Sequence, residues 1–409
     1  MRRHVVVMVA SSYPRFPGDG VGSFMEPIAT SMAARGHEVH MVVPWHPAVT
    51  RGKMERGVHF HFFKYAPVPA LNVFGYAQGL RADTVVKGAA WVATPAALAA
   101  GWFKAMRVAQ KRRATVMHAH WVIPGGLIAA LAAGGRRLVV SLHGSDVFVA
   151  ERHPAIGRVA RHVFGRASRV TACSDDLHRR ALALGARPDD TETVPYGVDA
   201  TRFAPSADAR GAIRQSLGIG GRPFVFTAGR LVRKKGFDVL IDAAARLRHE
   251  RPDLVVAIAG EGDLAAELRT QAHGAGDVRL LGNRSQDEIA RLCAAADIVA
   301  VPSVHDEAGN VDGLPNFALE ALASATPVVA SRVGGLPQAI EPEVTGLLVA
   351  ERDTAALAAA INRLLADPPL SAAVGGAARR AVMRDFGWDR VAERFEQTYG
   401  PVPGDPTLS

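Results

Sequence analysis

Two carboxylates stand where they could bind the hydroxyl groups of a ligand. Asp312 and Glu320 are separated by seven residues. Asp312 lies just before a helix predicted over 316–324, Glu320 lies inside it, and the apolar run Ile298–Val301 upstream is typical of a buried parallel strand. Helices that begin beside the carboxyl ends of such strands bind ligands in open α/β sheets, and their free N–H groups favour anions. The N–H groups would bind the phosphates of a ligand, and the two carboxylates would bind its hydroxyl groups. A ligand with both kinds of group is a nucleotide-sugar.

Two cations follow another predicted strand. Arg230 and Lys235 lie on a loop framed by Gly229 and Gly236. A planar guanidinium and a compact ammonium together suit a diphosphate, and they would neutralise charge that grows on a leaving nucleoside diphosphate. No DxD carboxylate pair is visible, so we expect no metal cofactor. The alternative is that the run Arg233–Lys235 is a solvated surface.

Strands alternate with helices through both halves of the chain, which predicts two doubly wound α/β domains whose strand ends line a cleft. The predicted first domain covers 1–203 and the second covers 204–385, with a linker at 202–209. A further helix is predicted within 386–400.

Two Ser-x-x-Glu sequences have the capping-box pattern. They predict helices that begin at Ser23 and at Ser285. The loop before Ser23 is rich in glycine, and Gly20 would allow its backbone N–H to approach a phosphate. The alternative is that the glycines serve only the turn.

Composition restricts the class of protein. The 409 residues are 48% hydrophobic, which is ample for two cores. Cys173 and Cys293 lie in apolar surroundings without metal-ligand spacing, so we expect neither a disulfide framework nor a zinc site, and a reducing compartment fits. The apolar run 5–10 is too short for a signal peptide, and we therefore expect a cytoplasmic protein.

The positive charge is concentrated in the first half. Residues 1–203 hold 26 Lys/Arg and 13 Asp/Glu, a net charge of +13, whereas residues 204–409 hold 22 and 26, a net charge of −4. A basic first half could face an anionic membrane or an anionic substrate, or its arginines could be only solvated surface residues. Because the sequence has no nucleic-acid-binding motif, we expect no nucleic-acid partner. The apolar stretch 89–103 is either a buried amphipathic helix or an interfacial membrane contact.

An ordered set of motifs now resembles glycosyltransferase family 4, which has the GT-B fold of two Rossmann-like domains. The motifs span nearly the whole chain: Gly20, His143-Gly-Ser-Asp146, Gly229-Arg230, Lys235-Gly236, Gly260-Glu-Gly262, Gly282 and the acidic pair with Glu-Ala-Leu-Ala behind it. His118-Ala-His-Trp121 with Pro124-Gly-Gly126 resembles the subgroup that builds exopolysaccharides and cell-wall polymers. The family's first acid is Glu, whereas this chain has Asp312.

The resemblance implies a retaining, metal-independent transfer from a UDP- or GDP-sugar, with UDP favoured, to a saccharide or lipid-linked acceptor, at the inner face of the cell membrane. It also implies that the helix within 386–400 returns to the first domain. The implied catalytic residues are His143, Arg230, Lys235 and Asp312. The implied donor-binding residues are Gly20, Arg230, Lys235, Glu261, Asn283, Asp312, Gly313, Leu314, Pro315, Asn316 and Glu320.

Within that set, Asp312 would hold the donor sugar, Glu320 the ribose, and His143 would point at the reacting sugar. Asp312 could instead be a helix cap, His143 a structural histidine and Glu261 a turn acid. A GT-B nucleotide-sugar epimerase and a non-catalytic nucleotide-sugar-binding protein are the alternative functions.

Overall fold

The computed structural model describes residues 3–67, 72, 75–76, 80–81, 85–86 and 88–402. These residues form two compact units. One contains the described residues up to Pro195 and those from Trp388 onward, and the other covers Tyr196–Gly387. Both are α/β units built on a mainly parallel sheet, as the alternation of strands and helices predicted.

In the first unit, an eight-stranded sheet has the order β10-β9-β8-β7-β1-β2-β4-β3, and only the β3–β4 pair in it is antiparallel. The chain builds the sheet outward from β1 to β2, β4 and β3, and then returns to build the other side outward from β7. Helices therefore cover both faces of the sheet. The strands are β1 Val5–Val9, β2 Glu38–Pro44, β3 Met54–Glu55, β4 Val58–Phe63, β5 Leu80–Arg81 and β6 Val85–Val86 (a separate pair), β7 Val116–His120, β8 Arg137–Leu142, β9 Arg169–Ala172 and β10 Thr191–Thr193. The helices are α1 Met25–Ala34, α2 Gly88–Lys111, α3 Leu127–Ala132, α4 Ser145–Arg152, α5 Pro154–Arg166 and α6 Asp175–Ala183.

In the second unit, six parallel strands have the order β13-β12-β11-β14-β15-β16. The chain therefore runs outward from β11 in one direction and then returns to start again at β14, which places the topological switch point between these two strands. The strands are β11 Phe224–Ala228, β12 Val255–Ala259, β13 Asp277–Gly282, β14 Ile298–Val301, β15 Val328–Ser331 and β16 Leu347–Val349. The helices are α7 Ala207–Ser216, α8 Phe237–Leu247, α9 Ala265–Ala272, α10 Gln286–Ala295, α11 Asn316–Ala323, α12 Leu336–Ala339, α13 Thr354–Ala366 and α14 Pro368–Asp385.

The last helix, α15 Trp388–Tyr399, belongs to the first unit. Val391, Phe395 and Tyr399 are buried in the same apolar cluster as β1, β2 and α1. The Tyr399 hydroxyl lies 2.8 Å from His118 Nδ1 on β7. The returning helix implied by the resemblance is therefore confirmed.

The two capping-box predictions have opposite outcomes. At Ser285, both reciprocal bonds are present and α10 begins as predicted. At Ser23 the prediction is wrong: α1 begins at Met25 without a side-chain cap. The reason is that the Glu26 carboxylate binds Arg51, at 2.8 Å, instead of returning to the backbone of Ser23.

The predicted segment 89–103 lies within α2, whose side chains are described from residue 93 onward. Ala97 and Gly101 are buried, whereas Trp102 and Phe103 are exposed. Among the described residues, no helix has the length and apolar character needed to cross a membrane.

Candidate active site

The loop after β11 is shaped by its contact with the end of β14. A short 3₁₀ turn, Arg233–Lys235, ends at Gly236, which has a φ of 62°. A Cβ on Gly236 would lie 1.9 Å from the carbonyl oxygen of Pro302, so only glycine allows this approach. The close packing places the cations after β11 beside the loop after β14, at the switch point of the sheet.

Two lysines of this turn meet Asp312. Lys235 Nζ lies 2.6 Å from Asp312 Oδ2, and Lys234 Nζ lies 3.1 Å from Oδ1. The three side chains are only 11–18% exposed. Burial by itself would raise the pKa of Asp312, but the charges of Lys235 and Lys234 outweigh it and lower that pKa to about 2. Asp312 is therefore a carboxylate held by two ammonium groups.

The backbone of Asp312 is fixed as well. Gly334, with a φ of 57°, packs against it so closely that a Cβ would lie 2.2 Å from the Asp312 carbonyl oxygen. The helix α11 then begins at Asn316, with Pro315 at its N-cap. Because proline has no N–H, Pro315, one of the implied donor-binding residues, cannot bind a ligand through a backbone N–H group.

Glu320 lies on α11 and is half-buried. Burial raises the pKa of Glu320 to about 7, against the charges of Arg202 and Lys235 and a hydrogen bond from the Gln286 side chain. Glu320 is therefore near its midpoint of ionisation at neutral pH. A carboxylate that is costly to ionise without a partner is suited to a ligand that supplies hydroxyl donors.

The segment after β14 also carries unsatisfied polar atoms. Over the described ranges, the buried atoms without a hydrogen-bond partner include Ser303 Oγ, Asn310 Oδ1 and Asn316 Oδ1. Buried polar groups are normally hydrogen-bonded, so three such atoms in one segment point to a polar ligand there.

The other predicted donor residues of this unit follow neighbouring strands. Arg230 is exposed directly after Gly229, and Glu261 and Asn283 are exposed after β12 and β13. The three strand ends are joined, because Leu231 N donates to the Glu261 carbonyl at 2.9 Å and Gly260 N donates to that of Gly282 at 2.8 Å. Gly313 and Leu314 are buried beside Asp312.

The first unit contains Gly20 and His143. Gly20 is exposed in the loop after β1, which Asp19 bends by accepting hydrogen bonds from Arg15 and Val21. His143 follows β8 and is half-buried among aromatic rings, with centroids of Phe24 at 4.7 Å and Trp121 at 4.8 Å.

Trp121 has an unusual backbone for a tryptophan. Its φ of 64° is the conformation that side chains other than glycine avoid. Two backbone hydrogen bonds hold this conformation. Trp121 N donates to the Ser141 carbonyl at 2.8 Å, and Gly126 N donates to the Trp121 carbonyl at 2.9 Å. Such strain is concentrated at functional sites.

Comparisons with known proteins give the family. Residues 18–202 match the model described as Glycosyltransferase Family 4, and residues 209–381 match that described as Glycosyl transferases group 1. A GDP-mannose-dependent alpha-(1-6)-phosphatidylinositol monomannoside mannosyltransferase of Mycolicibacterium smegmatis is 36% identical over 271 residues, which cover 65% of this chain and 71% of that protein. The chain belongs to glycosyltransferase family 4.

Two further comparisons extend over nearly the whole glycosyltransferase. A glycogen synthase of Mycobacterium tuberculosis is 29% identical over 415 residues, which cover 96% of this chain and 94% of that protein. The crystal structure of Anabaena HepE in complex with UDP has a TM-score of 0.77 at 22% identity and covers 96% of this chain and 99% of that one. This likeness confirms the predicted GT-B fold.

Sequence reasoning missed Lys234 and Gln286. Lys234 stands in the basic run Arg233–Lys235, where no local signal tells which cation faces Asp312. The structure separates them, because Arg233 turns toward Glu267, at 2.9 Å, on α9. Gln286 was visible only as part of a capping box.

Proposed function

We propose that this glycosyltransferase moves a hexose from a nucleoside-diphosphate donor to a hydroxyl of a lipid-linked saccharide acceptor, with retention and without a metal ion. The observation that carries the proposal is the convergence of Lys234 and Lys235 on Asp312 at the switch point of the second unit. Glu320, eight residues after Asp312, adds a second carboxylate that could bind hydroxyl groups of the donor.

The charges of this site match those of a diphosphate. Lys234 and Lys235 are partly neutralised by Asp312, and Arg230 adds a further cation on the same loop. The loop therefore brings several cationic side chains to one place, as the binding of the two negative charges of a nucleoside-diphosphate sugar requires. The lysines would lie between Asp312 and the phosphates, which removes the repulsion between the carboxylate and the ligand.

Each group has a separate task in the proposed reaction. Lys235 and Arg230 stabilise the charge that develops on the leaving diphosphate, a task that a metal ion performs in other sugar-transfer enzymes. Glu320 accepts hydrogen bonds from the ribose, and Asp312 accepts them from the donor sugar. The leaving phosphate takes the proton of the acceptor hydroxyl on the same face of the sugar, so the configuration is retained.

We infer that the donor is GDP-mannose. The relatives at 33–36% identity are named as GDP-mannose-dependent, whereas the HepE complexes with UDP and UDP-glucose are only 22% identical. UDP-glucose is the second candidate, in line with the preference for UDP that the resemblance gave.

A thermal-shift panel of GDP-mannose, UDP-glucose and ADP-glucose tests the donor. A ligand at about 100 times its dissociation constant stabilises the fold by about 2.7 kcal/mol, and we expect GDP-mannose to do so. Lys235→Ala should lose this shift. Arg233→Ala is the matched control, because Arg233 faces Asp238 and Glu267 rather than Asp312. A shift that Lys235→Ala retains in full would contradict the site, and no shift with any donor would contradict the function.

The surface of the first unit supports the proposal that the acceptor is membrane-bound. Trp102 and Leu131 are 38% and 56% exposed and are joined by a hydrogen bond from Trp102 Nε1 to the Leu131 carbonyl at 3.3 Å, and Phe103, next to Trp102 on α2, is 52% exposed. The basic residues Lys104 and Arg107 follow on α2. Apolar side chains beside cations are typical of docking on an anionic membrane. We therefore propose peripheral binding at the cytoplasmic face.

Liposome sedimentation tests this docking. Each cation near an anionic surface contributes about 1 kcal/mol, so binding should require anionic lipid and weaken with salt. Phe103→Ser should reduce the bound fraction, whereas Met383→Ser should not, because Met383 is an equally exposed apolar residue (59%) of the other unit. Equal binding to neutral and anionic vesicles would contradict the proposal.

A further inference from the structure

Three helices of the first unit form one layer that contains no acidic residue. The helix α2 packs against β1, β2 and β4, α3 packs against β7, and α3 contacts both α2 and α5. Together α2, α3 and α5 carry six Lys or Arg residues and no Asp or Glu. Each of the other helices described in this unit, α1, α4, α6 and α15, has at least one acidic residue. The cations of the layer therefore have no acidic neighbour within it.

The helix α5 has an apolar side that is buried and a cationic side that is exposed. Arg158, Arg161 and Arg166 are exposed. None of these three arginines has a hydrogen bond or an ion pair with a residue that the structure describes. An arginine of the neighbouring α6 differs, because Arg180 lies 2.9 Å from Glu151. The buried residues of α5 are Gly157, Ala160, Val163 and Phe164.

The outer side of α2 combines cations with an apolar residue. Phe103, Arg107 and Lys111 are exposed and follow each other at a spacing of four residues, which places them along one stripe of the helix. Within the described ranges, Arg107 and Lys111 also have no ion pair. The helix α3 adds the exposed Leu131. The outer face of the layer thus has apolar side chains on α2 and α3, and cations on α2 and α5.

We propose that α5 is a second membrane-binding element, in which Arg158, Arg161 and Arg166 bind the phosphate groups of anionic lipids. The first unit then docks through the outer face of the whole layer and not through α2 alone. This inference rests on the proposed membrane docking of the first unit, and it extends that docking to a helix for which the sequence gave no expectation.

Electrostatics favours an anionic partner for this face. Six cations on one layer repel one another, and in the free protein only solvent and mobile counter-ions screen that repulsion. An anionic surface takes the place of the counter-ions and removes the repulsion. Arginine suits the contact, because a guanidinium group binds phosphate oxygens through two parallel N–H donors and is more weakly hydrated than an ammonium group.

The apolar residues of the layer favour a membrane over a nucleic acid as that partner. The headgroup region of a bilayer accepts both the cations and the exposed side chains of Phe103 and Leu131. The phosphates of a duplex nucleic acid would neutralise the cations but would leave these apolar side chains in water. The face therefore fits lipid phosphates better than nucleic-acid phosphates.

Sedimentation of the full-length protein with vesicles tests the role of α5. The test variant carries Arg158→Gln, Arg161→Gln and Arg166→Gln together. Each cation near an anionic surface strengthens binding by about fivefold, so the triple variant should bind vesicles of phosphatidylcholine and phosphatidylglycerol on the order of a hundredfold more weakly. Its binding to vesicles of phosphatidylcholine alone, which have no net charge, should equal that of the unsubstituted protein.

A matched control removes three exposed arginines from helices of the second unit. Arg269→Gln, Arg291→Gln and Arg380→Gln lie on α9, α10 and α14 and change the net charge by the same amount. These arginines, too, have no ion pair with any described residue. The control should bind anionic vesicles as the unsubstituted protein does. Both triple variants should melt close to the unsubstituted protein, because exposed residues without partners contribute little to stability.

The possible results separate this inference from the proposals on which it rests. Equal weakening in the two triple variants would mean that only the net charge matters, and it would overturn the role of α5. Unchanged binding of the α5 variant would overturn it too, and a loss of binding in Phe103→Ser would then leave docking through α2 intact. If the unsubstituted protein bound no anionic vesicles, both docking proposals would fail.

A competition experiment and the thermal-shift panel complete the test. Binding of duplex DNA at physiological salt that is as tight as binding of the anionic vesicles would overturn the choice of a lipid partner. The panel of nucleotide-sugars needs no vesicles. A failure of the proposed transferase would therefore appear in the panel, while sedimentation still decides the role of α5.

Discussion

Replacing Glu320 by glutamine should make the protein more stable and a poorer enzyme at the same time. Burial raises the pKa of Glu320 from 4.5 to about 7, so the folded protein holds the proton over a range in which the unfolded chain has released it. Glutamine has a similar shape, never ionises and can still accept the hydrogen bond from Gln286. Glu320→Gln therefore removes the cost of burying a charge while it keeps the packing.

The sign and size of this stability change follow from the difference in proton binding between the folded and the unfolded state. Below about pH 4.5 both states are protonated, and the carboxyl group costs nothing. As the pH rises from 4.5 to 7, only the unfolded state ionises and the folded state loses stability; above pH 7 the loss is complete. Because one pKa unit corresponds to about 1.4 kcal/mol, the full loss is about 3 kcal/mol. Glu320→Gln should recover this amount at pH 8 and little at pH 5.

Donor binding should change in the opposite direction. Glutamine offers one acceptor oxygen where the carboxylate offers two, and a hydrogen bond to a charged group contributes about 1.5–3 kcal/mol. We therefore expect a roughly ten- to hundredfold loss of nucleotide affinity in Glu320→Gln. The affinity of the unsubstituted protein should itself fall below pH 7, since the ligand requires the ionised form, whereas that of the variant should not depend on this titration.

Differential scanning calorimetry at pH 5 and pH 8, with nucleotide titrations at both, measures these effects. For a unit of this size, 3 kcal/mol corresponds to a rise in melting temperature of about 6–12 °C at pH 8. Glu341→Gln is the control, because Glu341 is exposed in the same unit. A gain in stability that is equal at both pH values, or an affinity within about twofold of the unsubstituted protein, would refute the reasoning.

Substitutions at four other residues test the rest of the site and its supports. Asp312→Ala should lower kcat more than nucleotide affinity, and Asp312→Glu should keep substantial activity; steady-state kinetics with separate nucleotide binding checks both, and equal losses in the two variants would contradict the role. Lys235→Ala should lower kcat further than Asp312→Ala, because the charge on the leaving diphosphate is then exposed. Gly236→Ala should lower the melting temperature of the second unit by several degrees, since its Cβ would meet the Pro302 carbonyl at 1.9 Å. Tyr399→Phe should cost about 1 kcal/mol in denaturant unfolding by removing the bond to His118, and no loss would contradict the hydrogen bond.

Local sequence patterns predicted much of the second unit. The apolar run Ile298–Val301 gave the bounds of β14, and the capping box at Ser285 placed the start of α10. These elements are set by short-range properties, namely the burial of both faces of a parallel strand and the satisfaction of free N–H groups at a helix start. The same pattern failed at Ser23, because a residue distant in sequence, Arg51, competes for Glu26.

The helices α4, α5 and α7 were missed, and α7 begins inside the predicted linker. The linker was placed at 202–209 on the strength of a proline, yet α7 begins at Ala207 and the second unit starts at Tyr196. A proline near a helix start is compatible with either interpretation, since it loses no hydrogen bond there. Only the packing of the surrounding elements distinguishes them.

The sequence by itself determined which residues stand at the ends of strands, because the alternation of apolar runs and turn residues is written locally. Arg230, Asp312 and His143 were all found in this way. The tertiary structure alone decided which strand ends are neighbours, and thus that the loops after β11 and β14 meet. It also decided that Lys234 and Lys235 face Asp312 while Arg233 faces Glu267, that Glu320 is difficult to ionise, and that His120 contacts His143. Strand order, burial and side-chain direction depend on contacts between residues far apart in the chain, and no local pattern contains them.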